Sequence, residues 1–446
     1  MRVVLISTYD LGHQPFGLAS PAAWLRRAGF DVVLADTSRR PLPAAELAGA
    51  GLMGLFLPMH TATRLALRLL PGLRAAAPRA HVCAYGLYAP LHRAHLEASG
   101  VDTVLGAEFE AELLALAEAV RAGAPPPARG AAALPRLDFL PPDRAGLPPL
   151  DRYARLVLPD GSERLAGSTE ATRGCRHRCR HCPITPVYQG QLRVVRRDAV
   201  LADIRQQVAA GAGHITFADA DFFNGPAHAM RIAEALHAEF PSLSFDATIK
   251  IEHLLRHRRL LPRLRECGCL MVTTAAESFD DALLAKLDKG HTAADFERAL
   301  ALTAAAGLAL NPTFLAFTPW TTVCGYGEML AHLRRLGLAE QIAPVQLGMR
   351  LLIPPGSPLL ELPDAGAWLG AFIPAELSYR WRGLDRDAEG LCARVQALIA
   401  RASKAGRPRA EIFAQLEALA PPGAYDPPPQ APPRATIPYL NEPWFC

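Results

Sequence analysis

Three cysteines crowd one short stretch, Cys175-x3-Cys179-x2-Cys182, inside ATRGCRHRCRHCP. Thiolate sulfur is the usual ligand of iron–sulfur clusters. Three thiolates on one loop can each take one iron of a cubane [4Fe–4S] cluster, which leaves the fourth iron open to a small molecule. The competing chemistry is a structural zinc site. Zinc would want a closed fourth ligand, for which His177 and His181 are at hand. Structural zinc loops usually arrive as two paired halves, and this one arrives alone.

Further along stand Asp219 and Asp221 in FADADF (217–222), Glu277 and Ser278 in AES (276–278), and Arg350 just before PPGSP. Carboxylates meeting at one rim can act as general acid and base. Asp221 also suits a helix N-cap. Arg350 faces either side of a strand, because a one-residue change of phase reverses its direction. Arg173, Arg176, Arg178 and Arg180 surround the cysteines, and cations there ease reduction of an anionic cluster.

These residues need a scaffold, and the apolar patterning supplies one. RVVLIST (2–8), DVVLADTS (31–38), GLMGLFLPM (51–59), HVCAYGLYA (81–89) and VDTVLGAE (101–108) read as buried strands with helical patterns between them. Five βα units over 1–123 predict a flavodoxin-like parallel sheet, with ligands at the carboxyl ends of its strands. Residues 124–165 carry APPPARG and PRLDFLPPDRAGLPPLD, too rich in proline for a helix or central strand, and read as a linker. From 166 to 365 the alternation resumes: GSTEATRG, HITFADADF, LSFDATIK, CLMVTTAAES, LALNPTFLAF and PVQLGMRLLI are candidate strands. The expected fold class is therefore α/β throughout, the second domain being a partial (β/α)6 barrel whose active site lies where strands end. That places the cysteine loop after barrel strand one, Asp219 at the end of strand two, Glu277 at the end of strand four and Arg350 in strand six. Residues 366–420 read as a helical region and 421–446 as an extended, proline-punctuated tail.

Composition narrows the classes. The 446 residues suffice for two to four domains, at roughly 150 each, and half are hydrophobic. A net charge of +4 argues against nucleic acid and anionic membrane as partners. Only four of the 47 basic residues are lysine, a bias of GC-rich coding rather than of chemistry. No apolar run reaches membrane-spanning length, and MRVVLISTYD reads as a buried strand rather than a signal peptide, so a cytoplasmic protein is expected. In a reducing compartment the clustered cysteines favour a metal over disulfides. Cys83, Cys324 and Cys392 are expected as buried core thiols, and Cys267-Gly-Cys269 as a helix end entering a strand.

The C-x3-C-x2-C loop after strand one of a βα barrel is similar to that of the radical S-adenosylmethionine (SAM) superfamily. The resemblance implies that the open iron holds the amino and carboxylate groups of SAM. One electron, from a flavodoxin- or ferredoxin-type donor, would then cleave SAM to a 5′-deoxyadenosyl radical. His181 occupies the position of the family's usual aromatic residue beside the adenine. FADADF resembles the F-x-D-D-N-F of cobalamin-associated members, which implies that Asp219 meets the SAM ammonium. Ala276-Glu277-Ser278 resembles G-x-E-S, which implies contacts to ribose or the SAM amine, with Lys289-Gly290 matching the family's N-K-G turn. Arg350 and PPGSP resemble the P-x-P-G-T stretch of the same group.

The first domain resembles, in architecture, the cobalamin-binding domain that precedes many such barrels, so cobalamin is a possible further cofactor. The family's D-x-H-x-x-G loop is here Asp10-Leu-Gly-His13-Gln-Pro-Phe-Gly17, and its paired glycines become Tyr85-Gly86-Leu87-Tyr88. His13 and His60 each follow a strand and read either as corrin-facing or as polar loop residues.

The ending LNEPWFC resembles that of a radical SAM group named for its CUAEP or CCAEP tail. That resemblance implies a Sec or Cys after Cys446, which a UGA codon read as stop would hide. The alternative is a true terminus with a single thiol, and in either case Cys446 is the candidate catalytic thiol. Together these readings describe an enzyme that cleaves SAM reductively and modifies an unidentified small molecule. The group transferred would be methyl or aminocarboxypropyl, and a soft acceptor such as arsenic or selenium would suit a thiol tail. The alternative is a non-catalytic corrinoid or metal sensor built on the same cysteines.

Overall fold

The computed structural model describes residues 1–127, 134, 137–421 and 437–441. The amino-terminal domain is built on β1 (Arg2–Ser7), β2 (Asp31–Asp36), β3 (Ala50–Phe56), β4 (His81–Tyr85) and β5 (Thr103–Val104). They form one parallel sheet in the order β2-β1-β3-β4-β5. Crossover helices Phe16–Arg27, His60–Ala76 and Glu110–Ala122 cover it. Period-two alternation in β1 splits its apolar run between two cores. Val3 and Leu5 pack with Leu18, Leu25 and Leu113 on one face, while Val4 and Ile6 pack with Leu70 and Leu73 on the other. The run is apolar throughout because both faces are buried.

The segment read as a linker is more than that. It contributes β6 (Arg155–Val157), which pairs antiparallel with β7 (Glu163–Thr169). On its other side β6 receives β16 (Tyr439–Leu440) from the segment read as a tail. Short strands of this kind fit between prolines, where a long strand could not.

The barrel is partial and has five parallel strands: β7, β10 (His214–Phe217), β11 (Ser244–Thr248), β12 (Cys269–Glu277) and β13 (Ala309–Phe314). The sheet order β13-β12-β11-β10-β7-β6-β16 leaves it open as a curled half-barrel. The sixth expected strand is reduced to a single parallel bridge, Phe317 to Arg350. Before it, Pro344–Gly348 coils as a 3-10 turn led by its proline, which lacks the N–H a ladder needs. The first expected strand divides as well. It ends at Thr169, and after a two-residue break β8 (Thr172–Gly174) pairs antiparallel with β9 (Leu192–Val194).

Beyond the barrel, a hairpin of β14 (Leu369–Ile373) and β15 (Ser378–Trp381) precedes helices Arg386–Lys404 and Arg409–Leu419, so the region read as helical is mixed. Cys83, Cys267, Cys269 and Cys392 are buried as expected, but Cys324 is exposed on the helix Val323–Arg335.

Candidate active site

Gly174 ends β8 with φ +78°, and a Cβ there would lie 2.5 Å from both the Gln191 carbonyl oxygen and the Tyr188 ring. Only glycine makes this turn at so close an approach, and the turn delivers Cys175. Cys179 is buried, and Cys175 and Cys182 are half-buried. All three are free thiols. Burial first, and then the neighbouring Cys179 and Cys175, push the Cys182 thiol up to about 12. Soft donors that raise one another in this way are relieved by cationic iron, so the donor set fits a cubane cluster.

The loop is anchored on both sides. Arg180 donates its backbone N–H to Leu287 O at 2.9 Å, and its guanidinium reaches Ala285 O and Lys286 O at the end of helix Asp281–Lys286. Carbonyl oxygens at a helix C-terminus favour a cation. His177, a candidate fourth zinc ligand, is instead turned to Lys250 Nζ, 3.0 Å from its Nδ1, and to His253 Nε2, 3.3 Å from its Nε2.

His181, the other candidate for zinc, meets Glu277. Its Nε2 lies 2.9 Å from Glu277 Oε1, and Lys289 Nζ lies 3.4 Å from the same oxygen. Burial alone would raise the Glu277 carboxyl, but Lys289 and His181 outweigh it and hold it down at about 2. Glu277 takes a left-handed backbone, φ +66°, at the irregular end of β12 where the register to β13 shifts. Such strain in a non-glycine residue marks a position the surroundings over-determine. Ser278 follows it. Its Oγ accepts from the Asp280 N–H at 3.0 Å, and Ser278 lines a cavity of about 390 Å³ together with Phe279, Trp320, Tyr326 and His332.

Asp219 and Arg350 are committed elsewhere. Asp219 is buried after β10, and its two oxygens accept from Ala171 N at 2.9 Å and Thr172 Oγ1 at 2.5 Å. It therefore holds the break between β7 and β8 that leads into the cysteine loop. Burial raises its carboxyl from 3.8 to about 7. Arg350 stands apart from the Glu277 group. Its guanidinium lies 4.0 Å from the Trp381 ring centre, and Nη2 is 4.0 Å from Glu389 on the carboxy-terminal helix. Asp221 caps the 3-10 turn Phe222–Asn224, accepting from Phe223 N at 3.0 Å. Cys446, the candidate catalytic thiol, lies outside the described residues.

Strand alternation shows what the barrel lumen offers. Ile215, Phe217, Phe245, Ala247, Val272, Ala276, Leu310 and Phe314 point out into the core beneath the helices. Their neighbours Thr216, Thr248, Thr273, Asn311 and Thr313 are half-buried on the opposite face. Asp246 belongs to that inner face and accepts from Thr216 Oγ1 at 2.7 Å and faces His214 Nε2 at 2.9 Å. A packed barrel would fill this lumen with branched apolar side chains. Here it is hydroxyl- and amide-lined.

The two domains meet at Arg173, two residues before Cys175. Arg173 is 7% exposed, and its guanidinium contacts Glu110 at 2.5 and 2.9 Å and Glu170 at 2.6 Å. Tyr188 donates to Glu108 Oε1 at 2.7 Å in the same cluster. Burial pushes the Glu108 carboxyl up to about 7, although Arg173 opposes it. Glu108 and Glu110 lie just past β5, so the carboxyl edge of the first sheet grips the root of the cysteine loop. Sequence reading missed both. A carboxylate pair just after a short strand was the available signal.

The corrin expectation can be tested on the same sheet. Tyr85 ends β4, and its ring lies 4.7 Å from Phe109 and 5.6 Å from Phe56. Its hydroxyl donates to Gly17 O at 2.9 Å. The layer between the sheet and helices Phe16–Arg27 and Glu110–Ala122 is thus packed with the protein's own rings at Tyr85. His60 is held by Glu376 O, 2.7 Å from its Nε2. His13 is buried, and burial pushes it down to about 4 against the opposing charge of Asp246.

Residues 169–319 match the Radical SAM superfamily. No curated protein sequence matches the chain. Among solved structures, the fold is similar to the radical S-adenosylmethionine methyltransferase TsrM from Kitasatospora setae, solved with tryptophan substrate and a SAM analogue bound. That likeness has a TM-score of 0.65 at 18% identity and covers 89% of this chain and 88% of that one. TsrM solved with cobalamin and a [4Fe–4S] cluster matches over 94% of this chain and 99% of that one, with a TM-score of 0.65 at 17% identity. The cobalamin-dependent S-adenosylmethionine radical enzyme OxsB, with aqua-cobalamin and SAM bound, gives 0.66 at 13% identity over 90% of this chain and 67% of that one. At such identities the structural likeness speaks for the fold, a parallel α/β sheet joined to a curled half-barrel. What the second domain builds around its three cysteines is a radical SAM domain.

Proposed function

We propose that the protein binds a [4Fe–4S] cluster through Cys175, Cys179 and Cys182 and cleaves SAM to modify a small polar molecule in the barrel lumen. The contact of His181 with Glu277 carries this reading. It joins the residue before the third cysteine to the carboxylate that closes β12, so the cluster loop and the strand end face one binding volume. Cys175, Cys179 and Cys182 would hold the cluster, which would supply the electron for reductive cleavage of SAM.

The chain's own residues bind and orient. Glu277 stays ionised under Lys289 and His181, and both of these contacts fall on Oε1. Oε2 is then available to the SAM ammonium or ribose hydroxyls. Ser278 extends the same edge. Asp219 orients the start of the cysteine loop. Arg350 braces the bridge beside β13 against the carboxy-terminal helix. The exposed Arg176 and Arg178 suit an acidic electron donor of flavodoxin or ferredoxin type.

We read the chemistry as group transfer, methyl or aminocarboxypropyl, on the likeness to a fold that serves methyltransferases. A soft acceptor such as arsenic or selenium rests on the thiol of Cys446, outside the described residues. Among the described residues no helix is long and apolar enough to cross a membrane.

The test is anaerobic reconstitution with iron and sulfide, followed by SAM and dithionite. Mass spectrometry should find methionine with 5′-deoxyadenosine, methylthioadenosine if the aminocarboxypropyl group is transferred, or S-adenosylhomocysteine if the methyl group is. A protein with a full cluster that leaves SAM intact would overturn the reading in favour of a sensor.

A further inference from the structure

The turn that follows β10 touches the cysteine loop through Asn224, a side chain 3% exposed. Its Oδ1 accepts the Arg176 backbone N–H at 3.2 Å. That contact assigns the two ends of the amide, so Nδ2 is the group facing Cys175 Sγ at 3.5 Å. A free thiol can also turn its hydrogen toward Oδ1, 3.8 Å away. A thiolate bound to iron has no hydrogen, and the N–H···S contact is the one that survives.

Neither partner is free to drift. Phe222 and Phe223, in the same turn as Asn224, are buried. Across from it, Asp221 Oδ2 lies 2.6 Å from His253 Nδ1, and His253 meets His177 of the cysteine loop at 3.3 Å. The turn therefore grips the loop at two points, Asn224 on Cys175 and Arg176, and Asp221 on His177 by way of His253.

We propose that Asn224 is a positioning residue that sets the reduction potential of the cluster by donating its side-chain N–H to the Cys175 sulfur. The inference rests on the cluster reading given above. A donor to a ligating sulfur stabilises the reduced, more negative state more than the oxidised one, and so favours uptake of an electron. The step is a one-electron reduction by an external reductant, and no bond forms or breaks in the protein.

The experiment is an EPR-monitored redox titration of the reconstituted full chain beside Asn224→Ala and Asn224→Asp, with iron and sulfide counted in each. Asn224→Asp keeps an oxygen for the Arg176 N–H and removes the donor. At one fixed poise the ratio of reduced to oxidised cluster should fall about tenfold in Asn224→Ala, the order expected for one hydrogen bond to a charged group, and further in Asn224→Asp. Full iron with the parent potential in both variants overturns the proposal. A parent chain that takes up no cluster fails the earlier reading instead.

If the variants lose iron, the parent protein still decides. It has three asparagines, Asn224, Asn311 and Asn441. Side-chain ¹⁵N-asparagine labelling and pulsed EPR of the reduced cluster should then show one coupled nitrogen. No coupling would overturn the assignment.

Discussion

His181 Nε2 and Glu277 Oε1 are 2.9 Å apart across 96 residues of sequence, and Lys289 shares the same oxygen at 3.4 Å. The pair ties the cysteine loop to the end of the fourth parallel barrel strand. A half-buried carboxylate held low by Lys289 and by its contact with His181 is arranged to receive a donor-rich ligand.

Glu277→Gln should therefore keep its iron and lose SAM. One charge-assisted hydrogen bond is worth about 1.5–3 kcal/mol, or roughly ten- to a hundredfold in affinity. Calorimetry on the cluster-loaded variant should show a dissociation constant raised by that much. An unchanged constant would remove Glu277 from the SAM site.

Cys179→Ala should remove the cluster. A cubane brings four irons and four sulfides per chain, and two thiolates do not retain it. Metal analysis and the loss of brown colour check this. Stoichiometric zinc with no labile sulfide in the parent protein would restore the zinc reading.

Asp219 predicts a pH dependence. Its folded carboxyl is raised from 3.8 to about 7 by burial, so the folded state binds a proton more tightly than the unfolded one. Its stabilising contribution is complete below pH 3.8 and is lost as pH rises toward 7, at up to about 1.4 kcal/mol per pH unit. Asp219→Asn can keep both contacts, Oδ1 to the Ala171 N–H and Nδ2 to Thr172 Oγ1. Urea unfolding at pH 5, 6 and 7 should show a flatter profile in the variant. A SAM affinity unchanged in the same protein would confine Asp219 to holding the loop.

Arg173→Met should be severe. It leaves Glu110 and Glu108 buried without their cation, and removing one partner of a buried pair costs about 3–5 kcal/mol. Denaturant midpoints check this. Glu108→Gln should cost less, because burial already pushes its carboxyl up to about 7 and the neutral form is accessible. Equal losses in the two variants would contradict the ion cluster as the joint between the domains.

Much of the chemistry was legible in the chain itself. Three thiols within one loop form a candidate ligand set, because local spacing alone keeps them together. The five strands of the first sheet were readable because a strand buried on both faces must be a continuous apolar run, as RVVLIS is. Glu277 was legible from its place after a strand, since strand ends converge in a barrel. Local pattern carried less in other places. The sixth strand shrank to one bridge at Arg350, because prolines withhold ladder donors and the half-barrel stays open. Arg350 settled on Trp381 rather than on a carboxylate in the barrel, a choice made by the hairpin packed beside it. Tyr85 packs inside the layer between the first sheet and its helices, which only the neighbouring Phe56 and Phe109 reveal. Asn224, Arg173 and Glu110 are ordinary residues in sequence. They matter because folding brings a turn, a loop root and the edge of another sheet within hydrogen-bond reach, and hydrogen bonds and ion pairs depend on distance in space, which residue spacing along a chain does not encode.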